Sequence, residues 1–233
     1  MNRVAVSAVV PVYNGAARLG AAVDSILSQR RPPSEIIVVD DGSSDDTPAV
    51  IAGFGGRIIA LRQRNRGASA ARNAGLVRAT APFVIFLDAD DLWLPTTLEE
   101  LGRGLEADPA VDAVWGLTER VVSTDVTAKL EDWHGRPQWT IALGSILFRR
   151  AALGALGGLD ETLRCGEDFD LMVRFTERGF SILRHPAVVH IRQVHGENNF
   201  ALDETAMREG HFRVIAKTFA RHRSRRLAKA TRS

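Results

Sequence analysis

The feature that most restricts the fold is an alternation, through the first half of the chain, of short apolar runs with segments of helical period. Residues 4–10 are β-branched and apolar and read as a buried strand. Leu19, Ala22, Val23, Ile26 and Leu27 then recur at helical spacing until Pro32-Pro33 stops the segment. The signals repeat as a strand at 35–39, a short helix at 48–54, a strand at 58–61, a helix at 68–79 and a strand at 83–87. Leu98, Leu101 and Leu105 mark one more helix, and 111–115 one more strand. Strands and helices alternating at this spacing join through right-handed crossovers. The expectation is an α/β fold with a Rossmann-like, mostly parallel sheet flanked by helices. Beyond Trp115 the period weakens, and 117–139 reads as long loops or edge strands. Helices are expected at 151–156 and 169–178, strands at 181–183 and 188–194, and a terminal helix over 204–220. No linker rich in Pro, Gly or Ser separates the halves, which favours one domain.

Composition narrows the functional classes. With 233 residues, 45% hydrophobic and 25% charged, the chain can bury its own core, and disorder and coiled coil are excluded. No apolar run approaches a spanning helix, and the start reads as strand rather than signal peptide. With the single cysteine, Cys165, this favours a cytoplasmic location. The net charge of +2 is unevenly spread: from His211 onward there are eight Lys or Arg and no Asp or Glu. The first 210 residues therefore carry 22 basic and 28 acidic side chains, a net of −6, which argues against a nucleic-acid partner. Met207, Val214, Ile215 and Phe219 fall roughly on one side of the terminal helix. That tail suits either peripheral contact with anionic lipid on the cytoplasmic face of a membrane or plain solvation.

In open parallel sheets, ligands bind beyond the carboxyl ends of the strands. Three strands here end in polar clusters: Pro11-Val12-Tyr13-Asn14-Gly15, Asp40-Asp41-Gly42-Ser43-Ser44-Asp45-Asp46 and Asp88-Ala89-Asp90-Asp91. Seven carboxylates on one sheet edge repel unless a cation or a hydrogen-bonding ligand intervenes, although Ser44 and Asp45 also stand where a helix is capped. Asp88 and Asp90 leave their strand on the same side, about 6–7 Å apart. That spacing suits a hard divalent cation with positions left for phosphate oxygens. Other phosphate-binding motifs fit less well. No G-x-G-x-x-G follows the first strand, no G-x-x-x-x-G-K-[ST] occurs, and a haloacid-dehalogenase-type phosphatase would place its Asp pair near the start.

Taken together, five segments carry a resemblance. They are Pro11-Val12-Tyr13-Asn14, Val39-Asp40-Asp41-Gly42-Ser43, Asn65-Arg66-Gly67-Ala68-Ser69-Ala70-Ala71-Arg72-Asn73-Ala74-Gly75, Asp88-Ala89-Asp90-Asp91 and Gly166-Glu167-Asp168-Phe169-Asp170-Leu171. Their order and spacing resemble family 2 glycosyltransferases over roughly residues 4–195. The resemblance implies a GT-A fold in residues 1–202, with a nucleotide-sugar-binding half (1–115) and a smaller acceptor half (116–202). Residues 203–233 would add a C-terminal helix and basic tail. It implies inverting transfer of a hexosyl or related unit from a nucleotide-diphosphate sugar, assisted by Mn²⁺ or Mg²⁺. The acceptor hydroxyl would belong to a glycan, lipid-linked sugar or peptide, as in surface polysaccharide or glycoconjugate assembly.

By position, the resemblance puts Pro11 and Tyr13 beside the base, with the Tyr13 ring stacked on it. Asp41, or else Asp40, would accept a hydrogen bond from the base, which favours UDP- or dTDP-linked donors. Arg72 would reach the nucleotide, Asp88 the ribose or metal, and Asp90 the metal. Glu167 and Asp168 would form the acidic pair, with Asp168 as general base. The family's Arg-x-His has an extra residue here, Arg192-Gln193-Val194-His195, so His195 is read either as a metal or diphosphate contact or as a surface residue. Trp133 and Trp139 would stack on a sugar or pack into the core, and Cys165 reads as a packed thiol. Two rival readings use the same fold. A non-catalytic nucleotide-sugar-binding protein would not need both Asp90 and Asp168. A sugar-phosphate nucleotidyltransferase would need a basic, Gly-rich loop that residues 14–18 lack.

Overall fold

A computed structural model describes residues 4–122, 135–194 and 204–230. The expected alternation is present as β1 (Val6–Val12), α1 (Ala16–Leu27), β2 (Glu35–Asp40), α2 (Thr47–Gly53), β3 (Ile59–Arg62), α3 (Ala68–Arg78) and β4 (Phe83–Phe86). There follow β5 (Leu92–Trp93), α4 (Thr97–Ala107), β6 (Ala113–Val122), β7 (Ile146–Arg149), α5 (Arg150–Leu156), α6 (Glu167–Glu177), β8 (Ile182–Val194) and α7 (Glu204–Ala230). The strands form one sheet in the order β3-β2-β1-β4-β7-β6-β8-β5. β1 to β4 pair in parallel, as their crossovers require. β7 runs antiparallel between β4 and β6, β6 and β8 are parallel, and β5 closes the edge antiparallel to β8.

Helices cover both faces, so successive strand residues feed opposite cores. Ala8 and Val10 pack with Leu19, Val23, Ile26, Leu98 and Leu101, while Val9 packs with Ala71, Phe86, Phe148, Leu171 and Phe175. That two-sided burial is why these strands read as unbroken apolar runs rather than alternating ones.

The second half departs from the sequence reading in three places. β6 continues to Val122 instead of ending near Trp115, because Thr118, Glu119 and Arg120 pair with His190, Ile191 and Arg192 of β8. Polar residues in that stretch hide a strand whose far end leaves the core. The strands expected at 181–183 and 188–194 are one strand, with two register shifts against β6 between Trp115 and Thr118. Pro186, which has no amide to donate, lies in that irregular span. β7 was not anticipated: Ile146–Arg149 is four residues long and runs straight into α5, too short to carry a period.

Candidate active site

The loops after β1 and β2 interlock. The Asn14 amide donates to Ser43 Oγ at 2.9 Å, and the Ser44 amide donates to Asn14 Oδ1 at 2.8 Å. Asp45 accepts from the amides of Ala16 and Thr47, so it ties the starts of α1 and α2, in keeping with the capping reading. Pro11 is buried in β1, and Tyr13 projects from the strand end, 53% exposed. An exposed phenol ring at this edge is free to stack on a planar ligand.

Asp40 and Asp41 are both buried but hold different partners. Asp40 Oδ1 accepts from the Ser43 amide at 2.8 Å, and Arg62 Nη1 lies 3.4 Å from its Oδ2. Asp41 accepts from Gln63 Nε2 and from the amides of Arg66 and Gly67, at 2.7, 3.0 and 2.7 Å. Asp41 thereby shapes the 63–67 turn that leads into α3. Gly42 makes this approach possible: its φ is +80°, and a Cβ there would come within 2.8 Å of the Asn65 amide nitrogen.

Arg72 of α3 joins the two halves of the site. It is buried, and its guanidinium donates to Asp88 Oδ1 at 2.6 Å and to Glu167 Oε1 at 2.9 Å. Asp168 Oδ1 lies 3.7 Å from Arg72 Nη1 and accepts no hydrogen bond among the described residues. Asp88 belongs to the strand end of the first half, while Glu167 and Asp168 open α6 of the second. Arg72 thus stands among three carboxylates drawn from both halves. Burial works to raise the Asp88 pKa, but Arg72, with Arg192 and His190 behind it, holds it below the usual carboxylate value. For Asp168 burial wins: against the pull of Arg72, and with the Glu167 and Asp88 charges adding to it, the pKa is pushed up to about 7. A carboxylate poised there can take a proton near neutral pH. Asn73, next to Arg72, exchanges two hydrogen bonds with the Leu159 backbone and so fastens α3 to the loop that follows α5.

Asp91 takes part in a feature the motif reading did not anticipate. Its carboxylate meets His190 Nε2 at 3.0 Å and accepts from the Gln193 amide at 2.9 Å, while His190 Nδ1 lies 3.2 Å from Thr118 Oγ1. Asp91 and His190 are both buried. The brace links the Asp88–Asp91 turn to the end of β8, where Arg192 stands in register with Arg120. Replacing His190 with Ala should leave the Asp91 carboxylate without its imidazole partner and cost about 1–3 kcal/mol, measured by urea denaturation.

Asp88 and Asp90 share the turn that leaves β4, Asp88 half-exposed and Asp90 partly buried. Their oxygen donors fit a hard divalent cation such as Mn²⁺ or Mg²⁺. Among the described residues no three His, Cys, Asp or Glu gather at metal-binding spacing. His195 and Trp133 lie outside the described residues. Trp139 is 44% exposed, and the Arg184 guanidinium sits between its ring and that of Trp115, 5.6 Å from each. Cys165, the single cysteine, is partly buried at the turn before α6.

Comparison with known proteins places this fold. Residues 7–153 match the model for glycosyl transferase family 2, and the chain belongs to that family. It is 34% identical over 199 residues to the pre-mycofactocin glycosyltransferase of Mycobacterium tuberculosis, covering 78% of this chain and 41% of that protein. It is 30% identical over 215 residues to the succinoglycan biosynthesis protein ExoO of Rhizobium meliloti, covering 81% and 61%. The chain thus spans less than two thirds of the length of these relatives. Among solved structures, S. aureus TarS 1-349 in complex with UDP-GlcNAc superimposes with a TM-score of 0.69 at 19% identity, covering 86% of this chain and 62% of that one. The mannosyltransferase PcManGT from Pyrobaculum calidifontis, in complex with GDP-Man and Mn²⁺, gives 0.68 at 24% identity, covering 92% and 64%. The fold is that of the GT-A glycosyltransferases.

Proposed function

We propose that this chain transfers a sugar, with inversion, from a UDP- or dTDP-linked donor to an acceptor hydroxyl, with Asp168 as general base. The observation that carries the reading is the Arg72 bridge, which sets the Asp88–Asp90 turn beside the Glu167–Asp168 pair. Donor-side and acceptor-side chemistry then lie side by side. In the single displacement, the acceptor oxygen attacks the anomeric carbon as its proton passes to the Asp168 carboxylate, and the bond to the diphosphate oxygen breaks. The transition state carries oxocarbenium character, which the surrounding carboxylates stabilise. Tyr13 would stack on the base, and Asp41 or Asp40 would contact its edge. A divalent cation held by Asp90 and Asp88, with His195 as a further ligand, would supply positive charge beside the departing diphosphate. The neighbours with UDP-GlcNAc and with GDP-Man and Mn²⁺ support a nucleotide-sugar donor and a metal. The acceptor is read as a glycan, a lipid-linked sugar or a peptide, with the tail in peripheral contact with a membrane.

The test is a thermal-shift panel of UDP-, dTDP- and GDP-sugars with and without Mn²⁺. A uridine or thymidine donor at about 100 times its Kd should raise Tm by roughly 5–10 °C, more with the metal than without. Asp90→Ala should lose the metal-dependent part of that shift and nearly all turnover. A panel with no shift, or an Asp90→Ala variant that still responds to Mn²⁺, would refute the donor-site assignment.

A further inference from the structure

The inner face of α7 is fully engaged. A side chain at Gly210 would meet the Cys165 carbonyl oxygen at 2.8 Å, Val214 is buried, and the His211 ring packs edge-on against Phe169 at 5.4 Å. Lys217 bonds Asp160 and Thr162, while Arg221 bonds Glu177 and the buried Asp170. Two of the tail's basic residues are therefore turned inward and paired.

The opposite face has no cover among the described residues. Phe212 is 69% exposed, Phe219 72% and Ile215 44%, and positions 212, 215 and 219 line one side of the helix. This corrects the sequence reading: Val214 belongs to the inner face, Phe212 joins Ile215 and Phe219 outside, and Met207 has no described side chain. Arg208, Arg213 and Arg223 are exposed around the stripe. Arg225, Arg226, Lys229 and Arg232 follow in the sequence, with no Asp or Glu after Glu209.

We propose that this outer face docks on an anionic lipid surface, the two Phe rings and Ile215 entering the headgroup boundary and the arginines meeting lipid charge. Self-association through the same stripe would set the exposed Arg208, Arg213 and Arg223 of one copy against those of another, a repulsion that anionic headgroups convert into attraction. Isolated exposed apolar residues are ordinary, but two Phe and an Ile aligned on one face and ringed by Arg are the pattern of an interfacial helix. The inner face of α7 sits on the Gly166 turn from which α6 presents Glu167 and Asp168. Docking would bring the acceptor side of the site toward the membrane, which suits a lipid-linked acceptor. That last step rests on the proposed transferase activity, whereas the docking does not.

The test is flotation of the full chain with vesicles of phosphatidylcholine containing phosphatidylglycerol, against phosphatidylcholine alone. The chain should float only with the anionic vesicles, and high salt should weaken the association. Phe212→Ser with Phe219→Ser should reduce binding at least tenfold (about 0.8 kcal/mol per buried CH₂) while the donor-induced thermal shift stays as in the parent. Arg208→Gln, Arg213→Gln and Arg223→Gln should each cost roughly fivefold, an arm that stands even if the Phe variant does not fold. A parent chain that stays down with anionic vesicles, or arginine variants that bind like the parent, would overturn the proposal. So would a dimer in solution that the Phe pair abolishes, since it would assign the stripe to a second copy.

Discussion

Asp168→Asn should lower turnover by roughly 10²–10⁴, the usual worth of a positioned general base, and leave donor affinity nearly unchanged. The amide keeps the size of the carboxylate but takes no proton. Glu167→Gln should lose less, because Glu167 is already bonded to Arg72 at 2.9 Å while Asp168 Oδ1 accepts no hydrogen bond among the described residues. The pH profile carries the same signature. With the Asp168 pKa pushed up to about 7, the parent's kcat/KM should fall about tenfold per unit below that pH and level off above it. The asparagine variant should lack this limb. Stability follows with the opposite sense. A carboxyl whose pKa is higher folded than unfolded favours the folded state at low pH, and that contribution is lost as pH rises through about 7. Asp168→Asn should therefore melt roughly 2–4 °C above the parent at pH 8, with the gap closing toward pH 4. An asparagine variant within about threefold of the parent's rate would remove Asp168 from the base role.

Arg72→Ala should do the widest damage. It deletes a buried cation that three carboxylates share, leaving Asp88, Glu167 and Asp168 to repel one another, and breaking such a cluster costs about 3–5 kcal/mol. Arg72 is also the main influence holding the Asp168 pKa down, so its loss should move the acid limb above pH 7. Turnover measured at pH 7 should then fall for two reasons, disorder of the site and protonation of the base, and the second should recover at higher pH. Arg72→Lys should restore part of the stability, since it keeps the charge, but not the two-pronged contact with Asp88 and Glu167. Urea denaturation with pH–rate profiles of the three proteins separates these effects. An Arg72→Ala variant as stable as the parent would contradict the bridging role.

The first half of the chain was legible because its central strands β1, β2 and β4 are buried on both faces and alternate with helices. The same order put Tyr13, Asp41 and Asp88 at one sheet edge before any geometry was known. What sequence could not supply were contacts set by strand register in the second half. Asp91 stood in plain view within Asp88-Ala89-Asp90-Asp91, yet its partner His190 lies 99 residues away on a strand whose pairing with β5 and β6 no periodicity reveals. Arg72 was read toward the nucleotide; in the fold it is bonded to Asp88 and Glu167, a bridge that depends on where α6 packs. The length of β6 was missed because Thr118, Glu119 and Arg120 interrupt its apolar run. The faces of α7 were blurred because Val214 and Ile215 are adjacent and only packing decides which one turns inward.

Nucleoside diphosphate release from a panel of UDP-, dTDP- and GDP-sugars by the full chain with Mn²⁺, with and without candidate acceptors, tests the transferase activity most directly. Slow release of UDP or dTDP from one donor is expected without acceptor, faster release with a hydroxyl acceptor, and none from Asp168→Asn above background. Consumption of UTP with a sugar phosphate would instead make the chain a nucleotidyltransferase, and no release from any donor would contradict the transferase assignment.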